Sequence, residues 1–209
     1  SFEIGGIDQW TAVDEEDFPC IPASSLKGAL RSIVMKDTSE EAEKIAQWYA
    51  EYLRYEKESV YEQVKRLYNK DAEALERFER RYDDAIEHVS ASYLFGIREF
   101  NDTPKLFFND LRLIDECRDL KTCFSIDSKT SISDNGSEPK SNPRTYKAVR
   151  TGMEFEGEIE FYGFGYDKKF IEMSKVYISK NLEKFNSGIY RLGNSKSRGY
   201  GKIFVTFPE

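Results

Sequence analysis

The chain has 209 residues, of which 31 are Lys or Arg and 38 are Asp or Glu, so its formal net charge is −7. This length predicts a single domain over residues 1–209, large enough to bury a core without disulfides or metals. No apolar run approaches the roughly 20 residues of a membrane span, which excludes a membrane-spanning protein. An acidic net charge, taken alone, also argues against a nucleic-acid ligand.

The cysteine content indicates the redox environment of the protein, and the start of the sequence indicates whether residues precede it. Three cysteines cannot all pair, and no secretory signal is recognisable, so we expect a reducing, cytoplasmic environment. The sequence opens at Ser1 without an initiator Met, inside what reads as folded sequence. We therefore expect that residues are missing upstream of residue 1.

The first helix is predicted close to the amino-terminal end. Residues 1–19 contain six acidic residues and no basic residue, around the turn-like pair Gly5-Gly6. Residues 21–25 then lead into a helix, for which Ser24 or Ser25 is a suitable N-cap. Four apolar residues share one face of this helix: Leu26, Leu30, Ile33 and Val34.

Residues 38–90 are predicted to form a helical insertion. Apolar and aromatic residues recur there at helical spacing in two runs, with a plausible break at 69–71. A solvated helical hairpin is the favoured interpretation, and a surface for a partner is the alternative.

The chain becomes strand-like after Gly96. Short apolar runs predict strands at 106–108 and 111–114, and strict alternation predicts another at 153–161. Between them, residues 127–150 are polar, which indicates a long loop or a protruding hairpin of the kind that usually carries function. A helix over 170–185, a loop over 188–201 and a closing strand over 202–207 complete the prediction.

The charge is distributed unevenly along the chain. Residues 37–90 carry a net −6 and residues 1–19 another −6, so all other residues together carry +5. The segments 139–150 and 188–202 each contain four basic residues and no acidic one. Basic, glycine-containing loops on an acidic protein favour binding of an anion or phosphate, with ordinary solvated loops as the alternative.

The start of the first helix has a similar chemistry. A helix amino terminus offers free N–H groups and the positive end of the helix dipole. Ser24 and Ser25 add hydroxyl donors, Lys27 and Arg31 share one face because they are four residues apart, and Gly28 permits close approach. This turn could hold a sugar-phosphate backbone, and a capped helix with surface basic residues is the alternative.

Several common chemistries are excluded. The sequence has one histidine, His88, in the helical insertion, so catalytic triads or dyads built on histidine would have to centre there. A zinc site would need His88 and all three cysteines, without any Cys-x-x-Cys spacing. The segment 193–202 is neither a Walker loop nor a dinucleotide fingerprint, because here the loop runs from a helix into a strand.

Three segments in order resemble a known family. Residues 21–31, IPASSLKGALR, are similar to the IPGSSLKGALR segment of the RAMP superfamily of CRISPR RNA-guided effectors, and residues 193–201, GNSKSRGYG, resemble its carboxy-terminal glycine-rich loop. Residues 142–155, NPRTYKAVRTGMEF, resemble the end of the thumb and the following strand of the type III backbone subunit. Gly5-Gly6-Ile7-Asp8, followed by Asp14, looks like the catalytic loop of that Csm-three-like, Cas-seven-type subunit.

The resemblance implies a fold and a set of partners. The expected fold is α+β, a modified RRM-like (ferredoxin-like) antiparallel sheet with a helical insertion at 38–90, a protruding thumb loop at 127–150 and a first strand upstream of residue 1. The expected partners are a guide crRNA, a complementary target RNA, copies of the chain itself and other type III effector subunits acting in antiviral defence. No membrane partner is expected.

The resemblance also implies site residues. Asp8 is expected to be catalytic in target-RNA cleavage with a divalent metal, expected to be Mg²⁺ held by unknown ligands, and Asp14 is a second candidate carboxylate. Guide RNA is expected to contact Ser24, Ser25, Lys27, Arg31, Lys196, Ser197 and Arg198, with Arg144, Lys147 and Arg150 at the thumb base. A non-catalytic guide-binding subunit is the alternative. A repeat-processing nuclease is a third possibility, although such enzymes generally use a histidine and His88 lies outside any matching motif.

Overall fold

The computed structural model describes residues 9–68, 71–133, 140–165, 167–193, 196 and 199–208. The predicted α+β class is confirmed, with four α-helices and eight short strands in this described part. The chain divides into two compact units, Ser1–Ser24 with Phe108–Glu158 and Ser25–Phe107 with Ile159–Glu209. The single domain and the missing first strand stay predictions.

The larger unit is mainly helical. It contains α1 (Ala23–Val34, which starts in the last two residues of the smaller unit), α2 (Glu40–Leu67), α3 (Ala72–Glu87) and α4 (Lys168–Glu183). The segment 38–90 thus contains the helical pair α2 and α3, and its being an insertion stays a prediction. Side-chain caps define three of the helix starts, because Ser39, Asp71 and Asp167 each accept a hydrogen bond from the N–H three residues on. None of the described helices has the length and apolar character to cross a membrane.

Aromatic rings from α2 and α4 form the centre of this unit. The Trp48 ring stacks on Phe170 with centroids 3.9 Å apart, and its Nε1 donates to Asp167 Oδ2 at 2.9 Å. Tyr49 is fully buried and donates its hydroxyl to Pro104 O at 2.8 Å. Ordinary side-chain packing therefore accounts for the amino-terminal half of α2.

The same unit contains one small sheet and the carboxy-terminal end. Strand β3 (Lys105–Phe108), of which Phe108 belongs to the smaller unit, pairs with β8 (Ile159–Tyr162). The predicted closing strand at 202–207 is wrong, because no regular strand is found in its described residues. Asn186 substitutes for a neighbouring strand there: its side chain donates to Val205 O at 3.1 Å and accepts from Val205 N at 2.7 Å.

The smaller unit is built of two three-stranded sheets. In the first, β5 (Phe124–Ser133) and β6 (Lys140–Val149) pair antiparallel along their whole length, and β1 (Gln9–Trp10) runs parallel to β6. Of the two interpretations of 127–150, the structure therefore supports a hairpin. The second sheet has the order β2 (Cys20–Ile21), β4 (Leu111–Leu113) and β7 (Phe155–Glu156).

The single strand predicted at 153–161 is interrupted. Its first part, β7, pairs with β4, whereas its second part, β8, pairs with β3. Gly157 lies at the break, where an added Cβ would come within 2.9 Å of Leu111 Cγ and 3.2 Å of Leu111 Cα. The close approach of another backbone thus favours glycine at the position where the strand changes partner.

Candidate functional site

The cap of α1 is not one of the two predicted serines. The helix starts at Ala23, whose N–H donates to Asp110 Oδ1 at 2.7 Å, so neither Ser24 nor Ser25 is the N-cap. Both serines lie inside the first turn, Ser24 exposed and Ser25 half-buried, and their hydroxyls make no hydrogen bond to any described residue. A carboxylate from outside the helix caps α1, which leaves the two hydroxyls available to a ligand.

The two predicted basic residues of α1 lie one turn apart. Arg31 is exposed and Lys27 half-buried, and neither forms an ion pair within the described part of the chain. Gly28, on the turn between them, is exposed and has no side-chain or foreign backbone atom within 4 Å of an added Cβ. This face is consequently basic and sterically open.

Residues 188–202, which we call the glycine loop, are closed by the backbone. Leu192 N donates to Gly201 O at 2.8 Å, and Gly199 N donates to Lys196 O at 3.3 Å. Gly201 has φ of +76°, and a Cβ there would lie 1.8 Å from Leu192 O. Only glycine fits this closure point.

Arg191 holds the glycine loop from within, a role that the sequence did not reveal. Its Nε donates to Gly188 O at 3.2 Å and its Nη1 to Lys196 O at 3.0 Å. In the sequence Arg191 is one of four basic residues of an acid-free segment, and nothing distinguishes a residue that braces the loop from one that faces solvent. Lys196 is exposed, and Ser197 and Arg198 lie outside the described residues.

The predicted thumb-base residues lie on or just after β6. Arg144 is opposite Lys129 in the hairpin ladder. Lys147 places its Nζ 4.0 Å from the centroid of the Phe124 ring, and Arg150 is exposed and donates from Nη2 to Phe124 O at 3.2 Å. Two of the three basic residues therefore meet around Phe124 at the base of the hairpin.

The predicted catalytic residue, Asp8, lies outside the described residues. The chain that follows it is tied to the hairpin, because β1 aligns Gln9 with Tyr146 and Trp10 with Lys147. Thr11 N continues this pairing with a hydrogen bond to Lys147 O at 3.2 Å.

Asp14, the second candidate carboxylate, organises a turn. Its Oδ1 accepts from Glu16 N and Phe18 N, each at 3.0 Å, and its Oδ2 lies 3.5 Å from Arg118 Nη1. Arg118 also pairs with Glu16 and lies over the Phe18 ring at 4.2 Å. These interactions fix the acidic segment, and no sequence pattern pairs Asp14 with a residue more than a hundred positions away.

The described residues do not contain a preformed metal site. No group of three or more His, Cys, Asp or Glu side chains is arranged there to hold an ion.

These elements define an α+β protein that presents basic side chains, free hydroxyls and a tightly closed glycine loop, a chemistry suited to an anionic polymer. The family model of the RAMP superfamily matches residues 4–204, and the chain belongs to this superfamily. Membership implies a CRISPR-associated RNA-binding subunit that acts in complexes with RNA and other subunits. No curated protein sequence matches the chain.

Proposed function

We propose that the chain is a backbone subunit of a type III CRISPR effector and holds the guide crRNA through α1 and the glycine loop. The observation that carries this proposal is the α1 face, where Lys27 and Arg31 have no acidic partner in the described residues and Ser24 and Ser25 are not used as caps. Phosphate oxygens accept hydrogen bonds from hydroxyl, ammonium and guanidinium donors, so this turn matches a sugar-phosphate backbone.

The glycine loop would supply the second contact with the guide. Arg191 occupies the carbonyl oxygens of Gly188 and Lys196 from inside, so those two oxygens are not presented to an anion. The exposed side chain of Lys196, and Ser197 and Arg198 beside it in sequence, would then contact phosphates.

The guide-binding proposal is tested in the assembled complex with a Lys27→Ala, Arg31→Ala double variant. We expect weaker guide binding and a slope of log K against log salt that is smaller by roughly 1.5, since each lost phosphate contact removes about 0.7–0.9 from the slope. Lys168→Ala with Lys169→Ala is the matched control, because both residues are exposed at the start of α4 and the charge change is identical. An unchanged affinity and slope in the α1 variant would contradict the proposal.

The hairpin β5–β6 would act as the thumb that displaces a base between guide and target. Arg144, Lys147 and Arg150 would then lie beside the paired RNA. The parallel pairing of β1 with β6 supports this assignment, because it joins the hairpin base to the residues that directly follow Asp8.

We further propose that this subunit cleaves the complementary target RNA, with Asp8 and a divalent metal, expected to be Mg²⁺. A ribose 2′-oxygen would attack the adjacent phosphorus as its proton leaves, and the P–O5′ bond would break to give a 2′,3′-cyclic phosphate and a 5′-hydroxyl protonated from solvent. The displaced base would impose the in-line geometry, and Asp8 would accept the 2′-hydroxyl proton as general base or act as a metal ligand. The metal, when bound, would stabilise negative charge on the phosphate. A non-catalytic guide-binding subunit is the second candidate.

An Asp8→Asn variant separates these two candidates. With Mg²⁺ and complementary RNA, we expect target cleavage by the complex to fall by about 100-fold or more, as is usual for loss of an essential acid–base group, while guide binding is retained. Asp17→Asn is the control, because Asp17 has φ of +66° and asparagine tolerates that conformation. Equal cleavage by wild type and Asp8→Asn would favour the non-catalytic subunit.

A further inference from the structure

The two-stranded sheet of β3 and β8 has a buried face and an exposed face. Leu106 of β3 is fully buried, and the half-buried Phe161 of β8 packs its ring against Phe164 with centroids 5.6 Å apart. Side chains alternate between the two faces of a strand, so the neighbours of these residues lie on the opposite, outer face. The outer face consists of Lys105, Phe107, Glu160 and Tyr162.

Two aromatic rings stack on each other on the outer face. The ring centroids of Phe107 and Tyr162 are 4.6 Å apart with an interplanar angle of 25°, and the two residues are 41% and 48% exposed. Neither ring contacts a third aromatic ring in the described part of the chain, and the Tyr162 hydroxyl makes no hydrogen bond there. The pair therefore forms a half-exposed apolar surface, which we call the aromatic platform.

The area of the aromatic platform limits what can cover it. An aromatic residue can bury about 150–250 Å², so the exposed fractions leave roughly 130–220 Å² open on the two residues together. No other exposed large apolar residue of the described chain lies on β3 or β8. A specific protein interface buries about 800 Å² on each partner, several times more than the platform offers. A planar heterocycle fits it better, because every nucleobase has a π-face that stacks on aromatic rings.

One cation adjoins the aromatic platform. Lys105 Nζ lies 5.9 Å from the centroid of the Phe107 ring and forms no ion pair with any described residue. It donates to Asn101 O, which leaves two of its three N–H donors for a ligand. Glu160 is exposed on the same face, so the face as a whole is not basic. An ammonium beside a stacking surface matches a nucleotide, whose base stacks while its phosphate accepts the hydrogen bond.

We propose that the aromatic platform binds an unpaired nucleobase of a single-stranded RNA segment, with Lys105 on an adjacent phosphate. The base must be unpaired, because bases within a duplex are stacked on both sides and do not expose a π-face. Since Glu160 offsets the charge of Lys105, stacking supplies most of the affinity. None of these residues belongs to α1 or the glycine loop, so the site requires RNA binding by the chain but neither the proposed guide contacts nor cleavage.

The test titrates an RNA trinucleotide of three adenosines into the isotopically labelled full chain and follows the backbone N–H of Leu106, between Lys105 and Phe107, by NMR. We expect a saturable shift of this signal and nuclear Overhauser contacts from the Phe107 and Tyr162 rings to adenine protons. The slope of log K against log salt should be about −0.7, as for one phosphate of a single strand. A trinucleotide of the same backbone without bases should bind at least about tenfold more weakly, because it cannot stack.

Phe107→Leu and Phe204→Leu form a matched pair of variants. Each replaces an exposed phenylalanine by an aliphatic residue, but Phe204, 76% exposed, lies outside β3 and β8. We expect Phe107→Leu to weaken binding of the trinucleotide about tenfold and Phe204→Leu to change it less than about twofold. Tyr162→Leu should match Phe107→Leu, and replaces it if that variant does not fold. Tyr162→Phe retains the ring and should retain the affinity to within about twofold.

Three results would overturn the proposal. They are an absence of the Leu106 shift up to the solubility limit of the trinucleotide, equally tight binding of the trinucleotide without bases, and equal effects of Phe107→Leu and Phe204→Leu. The Lys27→Ala, Arg31→Ala double variant distinguishes this site from the proposed guide contacts. We expect it to show the Leu106 shift of wild type, whereas loss of the shift would assign the trinucleotide to α1 and overturn the platform site alone.

Discussion

The helical pair α2–α3 and the glycine loop use charge in opposite ways. Half of the eight basic residues of the helical pair form ion pairs within it, and its acidic residues outnumber the basic ones by thirteen to eight; the pairs are Glu40–Lys44, Lys57–Asp83, Glu73–Arg77 and Glu76–Arg80. The glycine loop has four basic residues and no acidic one, and its Arg191 is satisfied by carbonyl oxygens instead of carboxylates. A helical pair with an excess of acidic residues does not attract anions, whereas a basic loop that contains no acidic residue does.

This difference explains why the net charge of −7 is misleading about the ligand. The helical pair and the first 19 residues account for more than the whole negative charge, and Arg118 binds Asp14 and Glu16 of that acidic segment. RNA binding depends on local phosphate contacts, and so on the few surfaces where basic residues lack acidic neighbours.

The largest expected effect comes from a substitution of Gly201, where the backbone closes the glycine loop. In Gly201→Ala, the new Cβ would meet Leu192 O at 1.8 Å in a backbone with φ of +76°. We expect a loss of about 3 kcal/mol in the free energy of unfolding, since strain at a special φ adds to a backbone clash, and weaker guide binding in the complex. Urea unfolding and RNA titration measure the two effects.

Gly165→Ala is the matched control for this substitution. Gly165 also has a positive φ, +58°, but nothing lies within 4 Å of its added Cβ. We expect only the left-handed backbone penalty, about 1 kcal/mol, and unchanged guide binding. Equal destabilisation by the two variants would show that the close approach of Leu192 O is not the reason why glycine is needed at position 201.

The next effect contrasts a lysine that forms no ion pair with any described residue with a lysine that is ion-paired. Lys196 is exposed in the glycine loop, whereas Lys44 is paired with Glu40 at 3.3 Å. We expect Lys196→Ala to weaken guide binding severalfold and to reduce the salt slope by about 1, and Lys44→Ala to change neither. Identical salt slopes for the two variants would show that the glycine loop contacts RNA no more than the helical pair does.

The sequence predicted the helices well because a buried face leaves a period in the sequence. Leu26, Leu30 and Ile33 of α1 and Ile45, Tyr49 and Leu53 of α2 recur at three or four residues and are buried as expected. The sequence did not predict hydrogen bonds from a side chain to the backbone or to a distant residue. Asp110 caps α1 from a distant loop, and Arg191 binds the carbonyls of its own loop, which no side-chain pattern encodes.

The strands were less predictable for a related reason. The polar β5–β6 hairpin is held by ten aligned pairs of its own backbone, so it needs no alternation of apolar residues. Residues 202–207 include four apolar residues, as a strand would, yet Val205 is bound by the side chain of Asn186 where a strand partner was expected. An apolar composition indicates a preference for extended chain, and the identity of the partner is decided elsewhere in the chain.

A smaller effect is expected at the start of α4. The pKa of Asp167 is lowered, first by its hydrogen bond from Phe170 N and then by the one from Trp48. Because the folded-state pKa lies below the unfolded value near 3.9, this stabilisation is present above about pH 4 and is lost as the pH falls through the folded pKa. Asp167→Ala should cost about 1 kcal/mol at neutral pH, a typical N-cap value, and less below pH 3.

Thermal unfolding between pH 2.5 and 7 tests the Asp167 prediction. Asp167→Asn is the informative second variant, because asparagine can cap a helix without titrating between those pH values. We expect it to reduce the acid sensitivity of wild type while retaining part of its stability. A pH dependence identical to wild type would mean that another carboxylate controls the acid response.

The smallest effect on stability is expected for the exposed ion pair Glu73–Arg77 of α3. Glu73 and Arg77 are paired at 2.7 Å, but both side chains are mostly exposed, with 80% and 60% accessible. Exposed pairs one turn apart on a helix contribute about 0.3–0.5 kcal/mol, so Glu73→Gln with Arg77→Gln should lower the free energy of unfolding by no more than that. The double variant leaves the net charge at −7, and guide binding should not change. If this substitution weakened guide binding, the helical pair would belong to the RNA-binding surface after all, and the opposition between paired and unpaired charge would fail.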